Sequence, residues 1–352
     1  MKNLLVYAYS ADSSNQVFSH QLPVIDRIAT NFEEVTVVVP TIKKSTTLWT
    51  HEIPQLNKKI KVLEVPWSQN RTFRNAINLF RETLGLINKQ RIDVVFYFMT
   101  ETHAAILSPF LWSKKIPQFL WYAHASKPLR LLFVKPFMKF ICSSTSGSMP
   151  LRGNKIRLVG QMVDETLFKQ HTLDPRFRYR IIHVGRFDPS KHIEALIESF
   201  LEINSSFPET KLSLYGSPTT ESGFDYESDI KAKYSKAIKE KLLTILPAVP
   251  RSSLSSLYKE NGVFVHAFEG SLDKTIVEAT LAGLPVATLN KEYIRDFGSW
   301  GNSPVTLVTE LESIFKLSQE DLQGELDRRR NLALERHSLN QWAKQIGSLL
   351  VS

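Results

Sequence analysis

Arg180-Ile181-Ile182-His183-Val184-Gly185-Arg186-Phe187-Asp188-Pro189-Ser190-Lys191-His192 is the stretch on which the fold turns. A short apolar run stops at a glycine, a loop carrying two cations follows, and residues 193–203 then space their apolar side chains as a helix does. The spacing predicts strand, loop and helix, the first unit of a βα array. Toward the C-terminus the alternation continues. Strands are expected at 211–216, 243–249, 263–266 and 285–288, with helices at 228–240 and 275–282 and a charged helical stretch over 317–352. Toward the N-terminus a second array reads as strands at 4–9, 34–40, 60–65, 93–98, 118–122, 140–142 and 156–159, with helices at 16–29, 71–87 and 104–112. Continuous apolar strands between helices belong to parallel sheets covered on both faces. The charged stretch 164–179, with Pro175, breaks the rhythm. The expected organisation is a Rossmann-like domain over 1–168, a linker over 169–179, a second Rossmann-like domain over 180–335, and a final helix, 336–352, returning to the first domain.

Bulk properties agree with two α/β domains. The chain has 352 residues, 43 % apolar and 22 % charged, which is too long for one ordinary core. No apolar run reaches the ~18 residues of a membrane span. The N-terminal apolar run reads as a buried strand, not a secretion signal. The single cysteine, Cys142, excludes an internal disulfide and a cysteine metal cluster, and a cytoplasmic setting is expected. The net charge of +9 is unevenly spread: residues 1–170 hold 22 Lys and Arg against 11 Asp and Glu, the remainder 22 against 24. Such asymmetry suits an anionic partner of the first half, such as nucleic acid, a membrane surface or a phosphorylated acceptor, or serves solubility alone.

Ligands of open parallel sheets bind beyond the carboxyl ends of the strands. There, after the strand ending at Gly185, stand Arg186 and Lys191 beside a helix start expected near Ser190. Two cations at a helix N-terminus suit an anion; a surface loop with solvated charges is the alternative. The second stretch is Phe264-Val265-His266-Ala267-Phe268-Glu269-Gly270-Ser271-Leu272-Asp273-Lys274-Thr275-Ile276-Val277-Glu278-Ala279. Glu278 sits in an apolar helix, where a carboxylate needs a partner. A ribose with two hydroxyl donors would serve, and so would a salt bridge to a neighbouring helix.

Together these segments resemble glycosyltransferase family 4, of the GT-B fold. The resemblance is carried by Gly185-Arg186 with Lys191, by Lys211-Leu212-Ser213-Leu214-Tyr215-Gly216, by Val249-Pro250 leading to Leu257-Tyr258, and by Gly270 to Ala279 with Gly283-Leu284-Pro285-Val286. It covers nearly all of residues 180–290. Weaker matches lie at Leu120-Trp121-Tyr122-Ala123-His124, Ser143-Ser144 and Gly160 to Asp164. The resemblance implies two Rossmann-like domains with parallel sheets facing a central cleft. It implies that Arg186 and Lys191 grip a donor diphosphate, and that Glu278 holds the ribose. Ser271, Leu272, Asp273, Lys274 and Thr275 would offer backbone N–H groups to phosphates, with Gly185, Val249 and Gly270 completing the donor site. It also implies that His124 reaches the transferred sugar. One departure stands out. The family usually carries two glutamates with seven residues between them, and Gly270 occupies the first position, with Glu269 one residue early. The glycine-rich turn often found after the first strand is replaced by Ser10-Ala11-Asp12-Ser13-Ser14.

The expected activity is retaining transfer of a sugar from a nucleotide-diphosphate donor to a glycan or lipid-linked glycan, with His124, Arg186, Lys191 and Glu269 closest to the chemistry. No Asp-x-Asp triplet occurs, so no divalent metal and no other cofactor are expected. The basic stretches 71–91 and 127–139 fit an anionic bilayer at the inner face of a membrane; for 127–139 a buried helix with a charged rim is the alternative. Nucleic-acid binding is not expected, because no recognition motif is present. A non-hydrolysing nucleotide-sugar epimerase and a non-catalytic sugar-nucleotide-binding subunit share the fold and remain alternatives.

Overall fold

Strand β1 (Asn3–Tyr7) holds Leu4, Leu5, Val6 and Tyr7 at 1 % exposure or less, because both faces of its sheet are covered. Its side chains alternate between two cores. Leu4 and Val6 join Val35, Val37 and Phe96 in one; Leu5 and Tyr7 join Val95, Tyr97, Leu107 and Leu131 in the other. This is a computed structural model, and it describes residues 1–11, 21–40, 59–65 and 73–352. The chain forms two compact units, one of Met1–Met162 with Leu339–Ser352, the other of Val163–Ser338.

In the first unit β1 is followed by β2 (Glu34–Pro40), β3 (Ile60–Val65), β4 (Val94–Phe98), β5 (Gln118–Trp121), β6 (Phe140–Ser143) and β7 (Ile156–Leu158). All pair in parallel, in the order β3-β2-β1-β4-β5-β6-β7. Helix α1 (Gln21–Ala29) covers one face; α2 (Phe73–Lys89), α3 (Glu101–Ser113) and α4 (Leu129–Val134) cover the other. Gln21 is buried and its side-chain oxygen accepts from the N–H groups of Tyr9 (2.8 Å) and Ser10 (3.2 Å), which closes the turn after β1. The expected helical residues 16–20 and 71–72, and residues 12–14 of the serine-rich turn, lie outside the described residues.

The second unit contains β8 (Arg180–Val184), α5 (Ile193–Ser206), β9 (Lys211–Tyr215), α6 (Glu221–Lys233), α7 (Ser235–Lys239), β10 (Leu243–Leu246), α8 (Leu254–Lys259), β11 (Val263–His266), α9 (Lys274–Ala282), β12 (Val286–Thr288), α10 (Lys291–Phe297), α11 (Leu307–Lys316) and α12 (Gln319–His337). Its parallel sheet runs β10-β9-β8-β11-β12. The order reverses between the neighbours β8 and β11, so the loops after these two strands leave the same edge in opposite directions and open a crevice. Where β8 and β9 end, a Cβ at Gly216 would lie 1.8 Å from the Gly185 carbonyl oxygen, so only glycine permits that approach.

The α/β class with two parallel sheets is the one expected from the sequence. Three boundaries differ. Phe168 (0 % exposed) and Leu173 (5 %) are buried in the cores of the second unit, so the stretch assigned to a linker over 169–179 is part of that unit, which begins at Val163. Apolar side chains among charges were outvoted in the composition of that stretch. The helical stretch 317–352 breaks at Ser338, whose backbone is extended and pairs in a parallel bridge with Val163. The last helix, α13 (Leu339–Val351), places Leu339, Trp342, Ile346 and Leu350 in the core of the first unit beneath α1. The polar helix expected over 228–240 is two helices, α6 and α7, because the chain turns at Tyr234.

Candidate functional site

Lys191 and Asp273 leave adjacent strands. Lys191 follows β8, Asp273 follows β11, and the Lys191 ammonium donates to Asp273 Oδ2 at 2.5 Å. The same ammonium lies 4.2 Å from the centre of the Phe268 ring, a cation–π contact. Asp273 precedes α9 at the N-cap position, yet its side chain makes no capping bond. It is turned instead toward Lys191 and toward His266 Nε2, 3.6 Å away. Burial would raise the Asp273 carboxyl, but the His266 ring and the Lys191 charge more than offset this and hold it well below the usual carboxylate range. His266 is 1 % exposed, and burial lowers its pKa. Its Nδ1 pairs at 3.0 Å with Thr288 Oγ1, which accepts from the Asn290 N–H. A chain of polar contacts therefore runs from β12 through β11 to the lysine after β8.

Glu278, one helical turn into α9, is 4 % exposed. Its Oε1 accepts from Arg251 Nη2 at 2.5 Å. Arg251 begins the turn after β10, directly beyond Val249-Pro250. The salt bridge left open by the sequence is thus formed, to the single 3-10 turn that leads into α8. Burial raises the Glu278 carboxyl, and Arg251 and Lys274 oppose the rise. Tyr258, fully buried, lies in the field of Glu278.

Lys274 opens α9 between these two pairs. Its ammonium makes no hydrogen bond or ion pair among the described residues. Burial, then the charge of Arg251, push it down to about 8, against the pull of Glu278 and Asp273. Lys191, Lys274 and Arg251 stand against Asp273 and Glu278, so the cluster holds one more cation than carboxylate, at the positive end of a helix.

The other predicted residues are placed as follows. Arg186 is exposed and makes no ion pair among the described residues, although its charge reaches Asp188. The helix start expected near Ser190 is a tight turn over Pro189–Lys191, and α5 begins at Ile193. Asp188 caps the turn by accepting from Ser190 N at 3.0 Å, so this N-terminus already holds a carboxylate. The Gly185 N–H donates to Tyr215 O at 3.0 Å, inside the sheet. A Cβ at Gly185 would lie 2.7 Å from His183 Nε2; His183 Nδ1–H donates to Val265 O at 2.9 Å, and burial holds this ring at about 4. Leu272 is buried in the core, so only its backbone faces the loop, and Val249 packs on the same core. Ser271 and Thr275 are half-buried. Glu269 is exposed and lies 3.6 Å from Lys291, also exposed; it makes none of the contacts of the cluster. At Gly270 a Cβ would lie 2.2 Å from the Phe268 ring, so the ring that covers Lys191 fills the space a glutamate at 270 would enter.

In the first unit His124 follows β5 and is exposed. Its backbone N–H donates to Ser148 O (2.9 Å), and its Nδ1 accepts the Ser126 N–H (3.0 Å). An Nδ1 that accepts leaves the proton of a neutral ring on Nε2.

Four residues here escaped sequence reasoning: Arg251, Phe268, His266 and Asn290. Asn290 is fully buried. It caps α10 by accepting from Tyr293 N (3.0 Å), and its amide donates to the carbonyls of Phe268 (3.0 Å), Gly270 (3.2 Å) and Ser271 (3.2 Å). Its only sequence signal is its position just after a strand and before a helix.

Residues 164–299 match the family model described as glycosyl transferases group 1. No curated protein sequence matches the chain. The fold is similar to that of HepE from Anabaena in complex with UDP and glucose, at TM-score 0.72, 14 % identity and full coverage of both chains. It is also similar to sucrose-phosphate synthase from Thermosynechococcus elongatus, at TM-score 0.74 and 12 % identity over 99 % of this chain and 98 % of that one. A glycosyltransferase from Rickettsia africae gives TM-score 0.74 and 12 % identity over 100 % and 99 %. The chain has the fold of GT-B glycosyltransferases.

Proposed function

We propose that the chain is a retaining glycosyltransferase of family 4 type, which moves a hexose from a nucleoside-diphosphate donor to a glycan or lipid-linked glycan without a divalent metal. The observation that carries this reading is the meeting of Lys191, Asp273, Lys274, Glu278 and Arg251 where β8 and β11 adjoin, inside the segment matched by the group 1 model. The UDP and glucose named for the Anabaena neighbour support a nucleotide-sugar donor.

In this reading Glu278 meets the ribose hydroxyls and the diphosphate lies over the N-terminus of α9. As the bond from sugar C1 to the diphosphate oxygen breaks, C1 gains oxocarbenium character and the leaving group gains charge, which Arg186 and Lys191 stabilise in place of a metal. The acceptor oxygen bonds to C1 on the face that the diphosphate leaves, and its proton passes to a phosphate oxygen. That face retains the anomeric configuration. His124, with its proton on Nε2, donates a hydrogen bond to the transferred sugar. Glu269 plays no part, since its carboxylate is exposed beside Lys291.

The acceptor side of the proposal includes an anionic lipid surface. Residues 102–163 contain nine Lys and Arg and no Asp or Glu. Within them Trp112 (62 % exposed) and Phe133 (51 %) flank Phe137, with ring centres 6.1 and 5.6 Å from it. Lys115, Lys139 and Lys155 line the groove beside Trp112 and Phe137. Exposed aromatic rings among unopposed lysines suit the headgroup region of an anionic bilayer. Helix α4 buries Leu131 and Val134 against the sheet, as the alternative of a buried helix has it, while Leu129 (82 %), Leu132 (42 %) and Phe133 (51 %) stay exposed on its other side and carry the lipid-facing reading. No helix among the described residues is long and apolar enough to cross a membrane.

The test is a panel of nucleotide sugars incubated with the full chain and lipid-linked or soluble glycans, in excess chelator, with products identified by mass and anomeric configuration. Net transfer with retention is expected. Conversion of donor without acceptor would make the chain an epimerase, and donor binding without any turnover would make it a binding subunit.

A further inference from the structure

Asp273 occupies the N-cap position of α9 without capping it, because its carboxylate is committed to Lys191 and His266. Among the described residues the first-turn amides of α9 thus lack a side-chain acceptor. The residue that opens this nine-residue helix, Lys274, adds a second positive feature at the same point. Its neighbours are already matched, Lys191 with Asp273 and Arg251 with Glu278, each at 2.5 Å. Among the described residues no carboxylate remains for Lys274. Arg251 Nε and Tyr258 Oη, both buried, also have no hydrogen-bond partner among the described residues. An unneutralised cation, half-buried at the positive end of a helix, is a costly arrangement for an empty protein. A dianionic ligand reverses the sign of that cost.

We propose that the Lys274 side chain is a third cation for the donor diphosphate, and that it binds the phosphate group absent from a nucleoside monophosphate. The inference rests on the reading of a nucleoside-diphosphate donor and names a contact beyond it: the ammonium of Lys274, not only its backbone N–H. The position fits the Gly270 departure. At the first glutamate position of the pair this loop has Gly270, and a cation, Lys274, follows four residues on. The depressed ammonium, at about 8, supplies a signature. An anion binds the protonated lysine, so affinity is highest between the terminal phosphate's own ionisation at about pH 6 and pH 8, and falls as the free protein loses the lysine proton above it.

The experiment is calorimetric titration of the full chain with UDP, GDP, ADP and dTDP and with the matching monophosphates, for the wild type, Lys274→Met and Lys274→Arg. Melting curves confirm that each variant is folded. One diphosphate is expected to bind the wild type. Lys274→Met should weaken that diphosphate about 10–100-fold and leave the monophosphate unchanged, and Lys274→Arg should recover most of the loss. Wild-type affinity for the diphosphate should decline above pH 8 while that of Lys274→Arg stays level. If Lys274→Met keeps the wild-type ratio of diphosphate to monophosphate affinity, this inference fails and the donor reading stands. If no nucleoside diphosphate binds the wild type, both fail.

Discussion

Lys191 shows at the scale of one residue how an ion pair and a proposed catalytic contact are separable. Its ammonium holds Asp273 and faces Phe268, so its removal leaves a half-buried carboxylate without its cation and takes a charge from the proposed leaving group. Lys191→Met is expected to cut turnover by at least about 100-fold and to lower the melting temperature, because an orphaned, half-buried charge is destabilising. Lys191→Met combined with Asp273→Asn should regain the melting temperature and none of the turnover. Recovery of turnover in the double variant would reduce Lys191 to a structural role. Lys191 and Glu278 could be picked from the sequence because cations after a strand and a carboxylate in an apolar helix are local anomalies. Arg251 could not. It is one of many arginines on a polar turn, and only folding brings it to Glu278.

At the scale of elements, the loop after β11 is shaped by α10. Asn290 joins them with one oxygen on the helix start and one amide on three loop carbonyls. With those carbonyls drawn inward, the loop is held in a single course beside the N-terminus of α9. Asn290→Ala is expected to cost about 2–4 kcal/mol of stability and to weaken nucleoside-diphosphate binding. Asn290→Ser, short but still able to cap, should return about 1 kcal/mol and none of the binding. Chemical denaturation and calorimetry of the two variants read both effects, and equal donor affinity in all three proteins would remove Asn290 from the site. The elements themselves were readable because parallel strands buried on both faces must be apolar throughout. Their ends were less so. The break at Ser338 and the buried Phe168 and Leu173 depend on packing partners that are distant in sequence.

At the scale of the molecule, the positive charge of the chain has an address. The acid-free span 102–163 carries its cations with exposed Trp112 and Phe133. The full chain is expected to sediment with phosphatidylglycerol vesicles at about 0.05 M salt and to be released at about 0.5 M, where surface charges are screened. Trp112→Ser with Phe133→Ser should weaken this binding, and equal binding to neutral phosphatidylcholine vesicles would contradict the assignment. Periodicity and chain order were enough to establish two α/β arrays with parallel sheets, since burial on both faces writes itself into every strand. They were also enough to single out cations after β8 and carboxylates after β11. Which charge faces which was settled only in three dimensions. The reversal of strand order between β8 and β11 brings Lys191 to Asp273, the turn after β10 brings Arg251 to Glu278, and Lys274 is left without an ion pair among the described residues. Such pairings depend on distances across a sheet edge, and no linear spacing encodes them.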